Sequence, residues 1–231
     1  MKRPLLLDLF CGAGGAAVGY HRAGFDVIGV DLRPQPHYPF RFVRADALNP
    51  PFDLARFDLI HASPPCQAYS RLAAMHPERT YPDLLARTRR LLEVSGRPFV
   101  IENVEGSPMA HAPRLDGRWG IVLCGSMFRL GIDRGQLRRH RAFESSFPVP
   151  QPSCAHVGKS VGVYGHGGHS KKHRMLYRAE AAVAMGIDWM GRDAMTQAIP
   201  PAYTEFIGRA FLGRAAATPG NAGAPFHGEL S

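Results

Sequence analysis

The first hundred residues alternate short apolar runs with stretches of helical spacing. Leu5 to Phe10 reads as a buried strand, followed by the turn Gly12-Ala13-Gly14-Gly15. A helix over Ala16 to Ala23 stops at Gly24. Phe25 to Val30 reads as a strand ending at Asp31, and Arg41-Phe42-Val43 as another. Phe57 to Ala62 runs into Ser63-Pro64-Pro65, and Pro98 to Ile101 runs into Glu102-Asn103. Between them, Leu84, Leu85, Leu91 and Leu92 mark one face of a helix over Asp83 to Val94. This alternation predicts an α/β fold, a mostly parallel sheet covered on both faces. Ligands in such sheets bind beyond the carboxyl ends of the strands. Asp8, Asp31, Ser63 to Gln67 and Glu102 all fall there.

After Gly120 the pattern changes to glycine turns and short β-like runs at Ile121-Val122-Leu123, Arg141-Ala142-Phe143 and Val161 to Tyr164. Two more helices are expected, Ala179 to Met185 and Ala202 to Leu212, with a mobile tail from Arg214 onward. The expected divisions are a cofactor-binding body over 1–143, a small lobe over 144–177, a return to the body over 178–213, and a tail over 214–231.

Charge changes this picture. The 231 residues carry 28 Lys+Arg against 19 Asp+Glu, a net +9. From Arg134 to Arg178 there are nine Lys/Arg and the single acid Glu144, so nearly all the excess lies in that stretch. Such a concentration fits a polyanionic partner, since basic side chains displace counterions from phosphates. The apolar run after Met1-Lys2-Arg3 is broken at once by Asp8, and no run approaches a membrane span, so a cytoplasmic or nucleoid-associated, monomeric protein is expected. Cys11, Cys66, Cys124 and Cys154 form no C-x-x-C pair and read as reduced thiols, any of them a possible nucleophile.

Three motifs carry chemistry. The strand, glycine turn and helix over Asp8 to Ala23 suit a nucleotide: glycines admit the ligand to the backbone, and the helix start offers free N–H groups. Alone, this element fits a nicotinamide enzyme, an S-adenosylmethionine enzyme or a plain tight turn. In Ser63-Pro64-Pro65-Cys66-Gln67 two prolines fix the chain after a strand and hold Cys66 at the functional edge. A thiol there is a nucleophile if positive charge or a helix start lowers its pKa, and otherwise a structural cysteine. Glu102-Asn103-Val104 puts a carboxyl group after a buried strand, where it is either a proton donor with a raised pKa or a solvated loop acid.

Taken together and in order, Asp8-Leu9-Phe10-Cys11-Gly12-Ala13-Gly14-Gly15, Pro65-Cys66-Gln67 and Glu102-Asn103-Val104 resemble the motifs of the DNA cytosine-5 methyltransferase family. Arg139-His140-Arg141-Ala142-Phe143 is similar to the family's Arg-x-Arg motif, and Thr196-Gln197-Ala198-Ile199-Pro200-Pro201 to its last. The resemblance covers about residues 5–143 and 178–212 and is shared by short phage or prokaryotic members. It implies a Rossmann-like methyltransferase fold, S-adenosylmethionine as cofactor, and methylation of cytosine C5 in DNA.

By matching position, the resemblance places Phe10 on the adenine, Gly12, Gly14 and Gly15 along the methionine and ribose, Asp31 at the ribose hydroxyls, and Asp46 with Ala47 at the adenine edge. Asp8, Pro65, Ala198 and Ile199 join that cofactor set. Cys66 resembles the nucleophile, Glu102 the group at pyrimidine N3, Arg141 the donor to O2, and Arg139 its support. Gln67, Ser70, Asn103, Lys171, Lys172 and Arg174 are expected on the DNA side. A stacked base cannot meet these groups, so it must be flipped out.

Two departures are visible: Leu137 stands where the family usually has Gln, and Thr196-Gln197 where it has Gly-Asn. The segment over Glu144 to Tyr177 is short for a target-recognition domain, which predicts a short or relaxed recognition sequence. Two rivals stay open. One is an RNA cytosine methyltransferase, since relatives of the family act on tRNA; the other is a non-catalytic nucleic-acid binder retaining the fold. Cys154, His156, His166, His169 and His173 could supply zinc, but their spacing matches no closed motif and no metal is expected.

Overall fold

The computed structural model describes residues 2–66, 69, 83–109, 118–133, 135–164 and 174–216. Its main sheet holds seven strands in the order β3-β2-β1-β4-β5-β9-β6. Five run parallel: β1 (Leu5–Leu9), β2 (Asp26–Asp31), β3 (Arg41–Arg44), β4 (Leu59–Ala62) and β5 (Phe99–Val104). β9 (Arg141–Ser145) and β6 (Trp119–Leu123) extend it antiparallel. The fold is thus the expected α/β class.

The apolar runs are continuous because both faces are covered. Leu6, Leu59 and Val100 face one core with Tyr20 of α1 (Gly15–Ala23) and Tyr203 and Ile207 of α5 (Pro201–Ala216). Leu7, Leu9, Ile60 and Ile101 face the other core with Leu85 and Leu92 of α2 (Leu85–Val94). The two α helices of the first core pack very closely. A Cβ built on Gly19 would lie 2.0 Å from Thr204 Oγ1, and that hydroxyl donates to Ala16 O at 2.8 Å.

A second, four-stranded sheet runs β11-β10-β8-β7. It draws β7 (Gly131–Ile132) and β8 (Gly135–Leu137) from before the main-sheet strand β9, and β10 (Lys159–Gly162) and β11 (Arg174–Met175) from after it. Leu137, Val161, Val163 and Leu176 pack there with Ala181, Ala184 and Met185 of α3 (Arg178–Met185) and Met195 of α4 (Arg192–Gln197).

The expected lobe boundary at 143/144 is therefore displaced. Glu144 and Ser145 finish a main-sheet strand, and the lobe begins a dozen residues earlier, because β8 pairs with β10 across β9. α5 also runs to Ala216, past the expected start of the tail, since Ala215-Ala216 continue a favourable helix. α4 was not anticipated; six residues give too little periodicity to read.

Candidate active site

The strand order of the main sheet reverses between β1 and β4: the chain builds outward to β3 on one side and to β5 on the other. Ligands bind at such a switch point, beyond the carboxyl ends of the strands. The glycine turn follows β1 there, and Ser63-Pro64-Pro65-Cys66 follows β4.

The turn is built under strain. Phe10, at φ 56°, sits in the left-handed region, uncommon for a bulky side chain and costing on the order of 1–3 kcal/mol. Cys11 N–H donating to Val30 O at 3.1 Å and Gly14 N–H to Cys11 O at 3.1 Å hold it. Gly12, at φ 49°, faces open space. α1 starts at Gly14 with no side-chain cap and no acid in its first turn, so its first N–H groups remain available to a ligand. Asp31, closing β2, accepts from Gly12 N–H at 3.0 Å and Arg33 N–H at 2.9 Å, leaving lone pairs on both oxygens.

Asp8 is fully buried. Its Oδ2 accepts from the Tyr38 hydroxyl at 3.4 Å, while Oδ1 has no partner. Burial holds this carboxyl well above the usual range, against the Tyr38 hydrogen bond. The last motif closes over the turn, since a Cβ on Gly15 would meet Ile199 O at 2.5 Å and Ala198 Cβ at 3.2 Å. Asp46, exposed past β3, accepts from Leu48 N–H at 2.9 Å, and Ala47 behind it is buried. A cleft of about 510 Å³ opens beside the turn, lined by Ala13, Gln35, Pro36, His37 and the Gly191 to Ala194 end of α4. The uncapped helix, the orphaned Asp8 oxygen and the free Asp31 lone pairs fit a polar, adenosyl-type cofactor.

The second cluster is set by sheet register. β5 runs longer than expected because β9 pairs with it through Val104↔Arg141 and Glu102↔Phe143. Arg141 is thus the diagonal cross-strand neighbour of Glu102, within reach of a long side chain. Its Nε lies 3.1 Å from Glu102 Oε1, with both side chains largely buried. Burial holds the Glu102 carboxyl up, against Arg141, Arg139 and a Ser63 hydrogen bond. This is the raised carboxyl expected from sequence.

Arg139 is 1% exposed, donates to the carbonyls of Val163 and Thr196, and lies with Cζ 5.9 Å from the Tyr164 ring centroid. It ties the entry of β9 to the end of β10 and to α4.

Cys66 is half-buried at the same end of the sheet. Burial and then Glu102 push its thiol up, while Arg141 and Arg139 pull it down. The net shift is upward, so the lowered resting pKa that sequence offered as a route to a nucleophile is not present. Desolvation outweighs the two guanidiniums. Cys11 is a poorer nucleophile still, pushed far up by burial and by Asp8 and Asp31.

Asn103 departs from its expected place on the DNA side. It is 1% exposed, and its Nδ2 donates to Pro64 O at 3.2 Å. It clasps the end of β5 to the Pro-Cys loop, because successive strand side chains point to opposite faces and Asn103 points away from the face that carries Glu102.

Arg174 carries two carboxylate partners, Asp133 at 3.0 Å and Glu180. Gln67, Ser70, Lys171 and Lys172 lie outside the described residues.

Sequence reading missed a buried chain behind Glu102. The Tyr20 hydroxyl meets His61 Nδ1 at 3.1 Å, His61 Nε2 meets Ser63 Oγ at 2.9 Å, and Ser63 hydrogen-bonds Glu102. Burial alone pushes His61 down to about 3, so it is neutral. A histidine in an otherwise apolar strand was the available signal.

The fold has a Rossmann-like α/β architecture built on a mostly parallel sheet. Residues 5–110 match the profile of the family described as C-5 cytosine-specific DNA methylase. Over 124 residues the chain is 30% identical to the Type II methyltransferase M.XorII of Xanthomonas oryzae pv. oryzae. That alignment covers 46% of this chain and 29% of the relative's length.

Two solved structures share the fold. A protein described as a DNA modification methyltransferase encoded within an E. coli prophage superposes with TM-score 0.61 at 15% identity, covering 93% of this chain and 100% of the other. The S. pombe Dnmt2 methyltransferase superposes with TM-score 0.56 at 13% identity, covering 93% and 99%.

Proposed function

We propose that this chain methylates C5 of a flipped-out cytosine in DNA, using S-adenosylmethionine and a covalent Cys66–C6 adduct. The observation that carries the reading is the register of β5 against β9, which brings Glu102 and Arg141 to 3.1 Å at the sheet end occupied by Cys66. The match of residues 5–110 to the C-5 cytosine-specific DNA methylase profile supports it.

The cofactor would be held by Phe10, the Gly12–Gly15 turn, Asp31, Asp46 and Ala47, with Ala198 and Ile199 closing over the turn. Bound there, S-adenosylmethionine supplies an electrophilic methyl group. Cytosine C5 is too weak a nucleophile to take that group from the intact ring. Cys66 gives up its thiol proton to water, and the thiolate adds at C6, forming an S–C bond and moving the C5–C6 electron pair onto C5.

Glu102 hands a proton to N3 as that addition proceeds, and Arg141 donates to O2. The two steps cooperate. As a carboxylate Glu102 opposes ionisation of Cys66 and in its protonated form it does not, so protonation of Glu102 and formation of the thiolate beside it favour one another. Once C5 is substituted, its proton leaves to water, the C5–H electron pair re-forms the C5–C6 double bond and expels Cys66 as thiolate, and N3 returns its proton to Glu102. Asn103 and the prolines keep the sulfur in place throughout.

The lobe built on β7, β8, β10 and β11 is proposed as the element that reads DNA, with a short or relaxed target. The test is nucleoside mass spectrometry of DNA and tRNA treated with protein and S-adenosylmethionine. 5-Methylcytosine in the DNA is expected. Its appearance only in tRNA, or in neither, contradicts the proposal. Bisulfite sequencing of the product then gives the target, and a strict site of six or more bases would contradict relaxed reading.

A further inference from the structure

We propose that Cys124, His140, Cys154 and His156 form a four-coordinate zinc site that fastens the lobe to the main sheet. Their ligand atoms all lie within 4.8 Å of one another. Cys124 Sγ is 3.3 Å from His156 Nε2, and Cys154 Sγ is 3.5 Å from His140 Nε2. Zn–S near 2.3 Å and Zn–N near 2.0–2.1 Å at tetrahedral angles require sulfur–nitrogen separations of roughly 3.6 Å, so these pairs already stand at the spacing a zinc ion needs. Two thiolates and two imidazoles select zinc among the common divalent ions, and no carboxylate competes for the centre.

The surroundings fit as well. Glu105 Oε2 lies 3.9 Å from His140 Nδ1, the ring nitrogen left over, where metal-bound histidines find a carboxylate. Ser126 Oγ donates to Cys124 Sγ at 3.4 Å. The two imidazole rings stand edge to face, centroids 5.2 Å apart, presenting both Nε2 atoms to the sulfurs.

The backbone gives the site a purpose. Cys154 and His156 lie on an exposed segment with no regular structure and no apolar residue in the core between Val149 and Val161. What holds it is polar. Gln136 donates to Ala155 O at 2.9 Å and accepts from Val157 N–H at 2.8 Å, and Arg138 donates to Gly158 O at 2.8 Å. Cys124 leaves β6, and His140 stands between Arg139 and Arg141 at the entry to β9. One ion would join all three segments where burial cannot. The sequence groups Cys154 and His156 with His166, His169 and His173, which lie outside the described residues, and predicts no metal. Cys124 and His140 replace them.

The site does not depend on the proposed reaction, and metal content is read apart from activity. Protein purified without an immobilised-metal column and dialysed against EDTA should retain about one zinc per chain by mass spectrometry of the metal. Cys154→Ser and His156→Ala, both at exposed positions, should each lose most of it. Cobalt added to stripped wild-type protein should give the visible bands of a tetrahedral thiolate site, a result independent of how the variants fold. Stripping zinc should lower kcat more than it raises KM for S-adenosylmethionine. Zinc-free wild-type protein with no cobalt–thiolate bands overturns the proposal. So does zinc content unchanged in Cys154→Ser, or a Cys124–Cys154 disulfide in place of two thiols.

Discussion

The switch point of the main sheet and the lobe beyond β9 are organised by opposite means. At the switch point, strand register within a buried sheet delivers Glu102 to Arg141, and strain at Phe10 is sustained by the packed layers around it. In the lobe, the exposed 150–158 segment is held, among the described residues, by polar ties and the Cys/His cluster. Precision of the chemical groups therefore comes from burial, and attachment of the lobe from directional bonds. Damage to the two regions should consequently look different.

The largest effect is expected from Cys66→Ser. It should cost on the order of 10³-fold or more in kcat while leaving S-adenosylmethionine affinity, measured by calorimetry, within about twofold. Glu102→Gln should lower kcat about 10²–10³-fold by removing the proton donor. It should also shift the pH dependence of Cys66 alkylation to lower pH, because the carboxylate that raises the thiol is gone. Arg141→Met should move that midpoint the other way. An unmoved midpoint in both variants would break the electrostatic link between the three groups.

Asp31→Ala should weaken cofactor binding about tenfold with little change in the rate at saturation.

Asp8 tests burial at the switch point. Its folded pKa is raised above the ordinary value, so the folded protein binds the extra proton, and Asp8's contribution is full below pH 4 and lost as pH rises. Asp8→Asn should therefore raise Tm relative to wild type near pH 8, by about 2–4 °C per kcal/mol, with the gain shrinking toward pH 4.

Arg174→Ala belongs to the lobe and should do least. With its charge already matched by Asp133 and Glu180, DNA affinity should fall less than about threefold and the salt slope should not change. A slope reduced by about one would place Arg174 on a phosphate.

These contrasts also explain what could be read from the chain. The switch-point motifs were legible because each is contiguous: an apolar run ending in the residues that do the chemistry. The Glu102–Arg141 contact was not, since two residues 39 apart in sequence meet only through the register of β5 and β9. Asn103 was misplaced because side-chain alternation in a strand depends on where the strand ends, and β9 extends β5 beyond its apolar stretch.

The Cys/His cluster escaped because its four residues come from three separate segments, with only Cys154-Ala155-His156 close in sequence. His61 hid because a buried, hydrogen-bonded polar side chain leaves no periodic signal. Displacement of the lobe boundary has the same origin: β8 pairs across β9, and no local pattern announces a strand that returns to another sheet.

The most direct test of the proposed chemistry uses DNA in which 5-fluorocytosine replaces cytosine, incubated with the protein and S-adenosylmethionine. Fluorine at C5 cannot leave as a proton does, so expulsion of Cys66 is blocked after transfer. The account predicts a denaturation-resistant protein–DNA complex whose peptide map places the bond on Cys66, and which Cys66→Ser abolishes. Normal cofactor binding with no such complex, or a bond to any other residue, would contradict it.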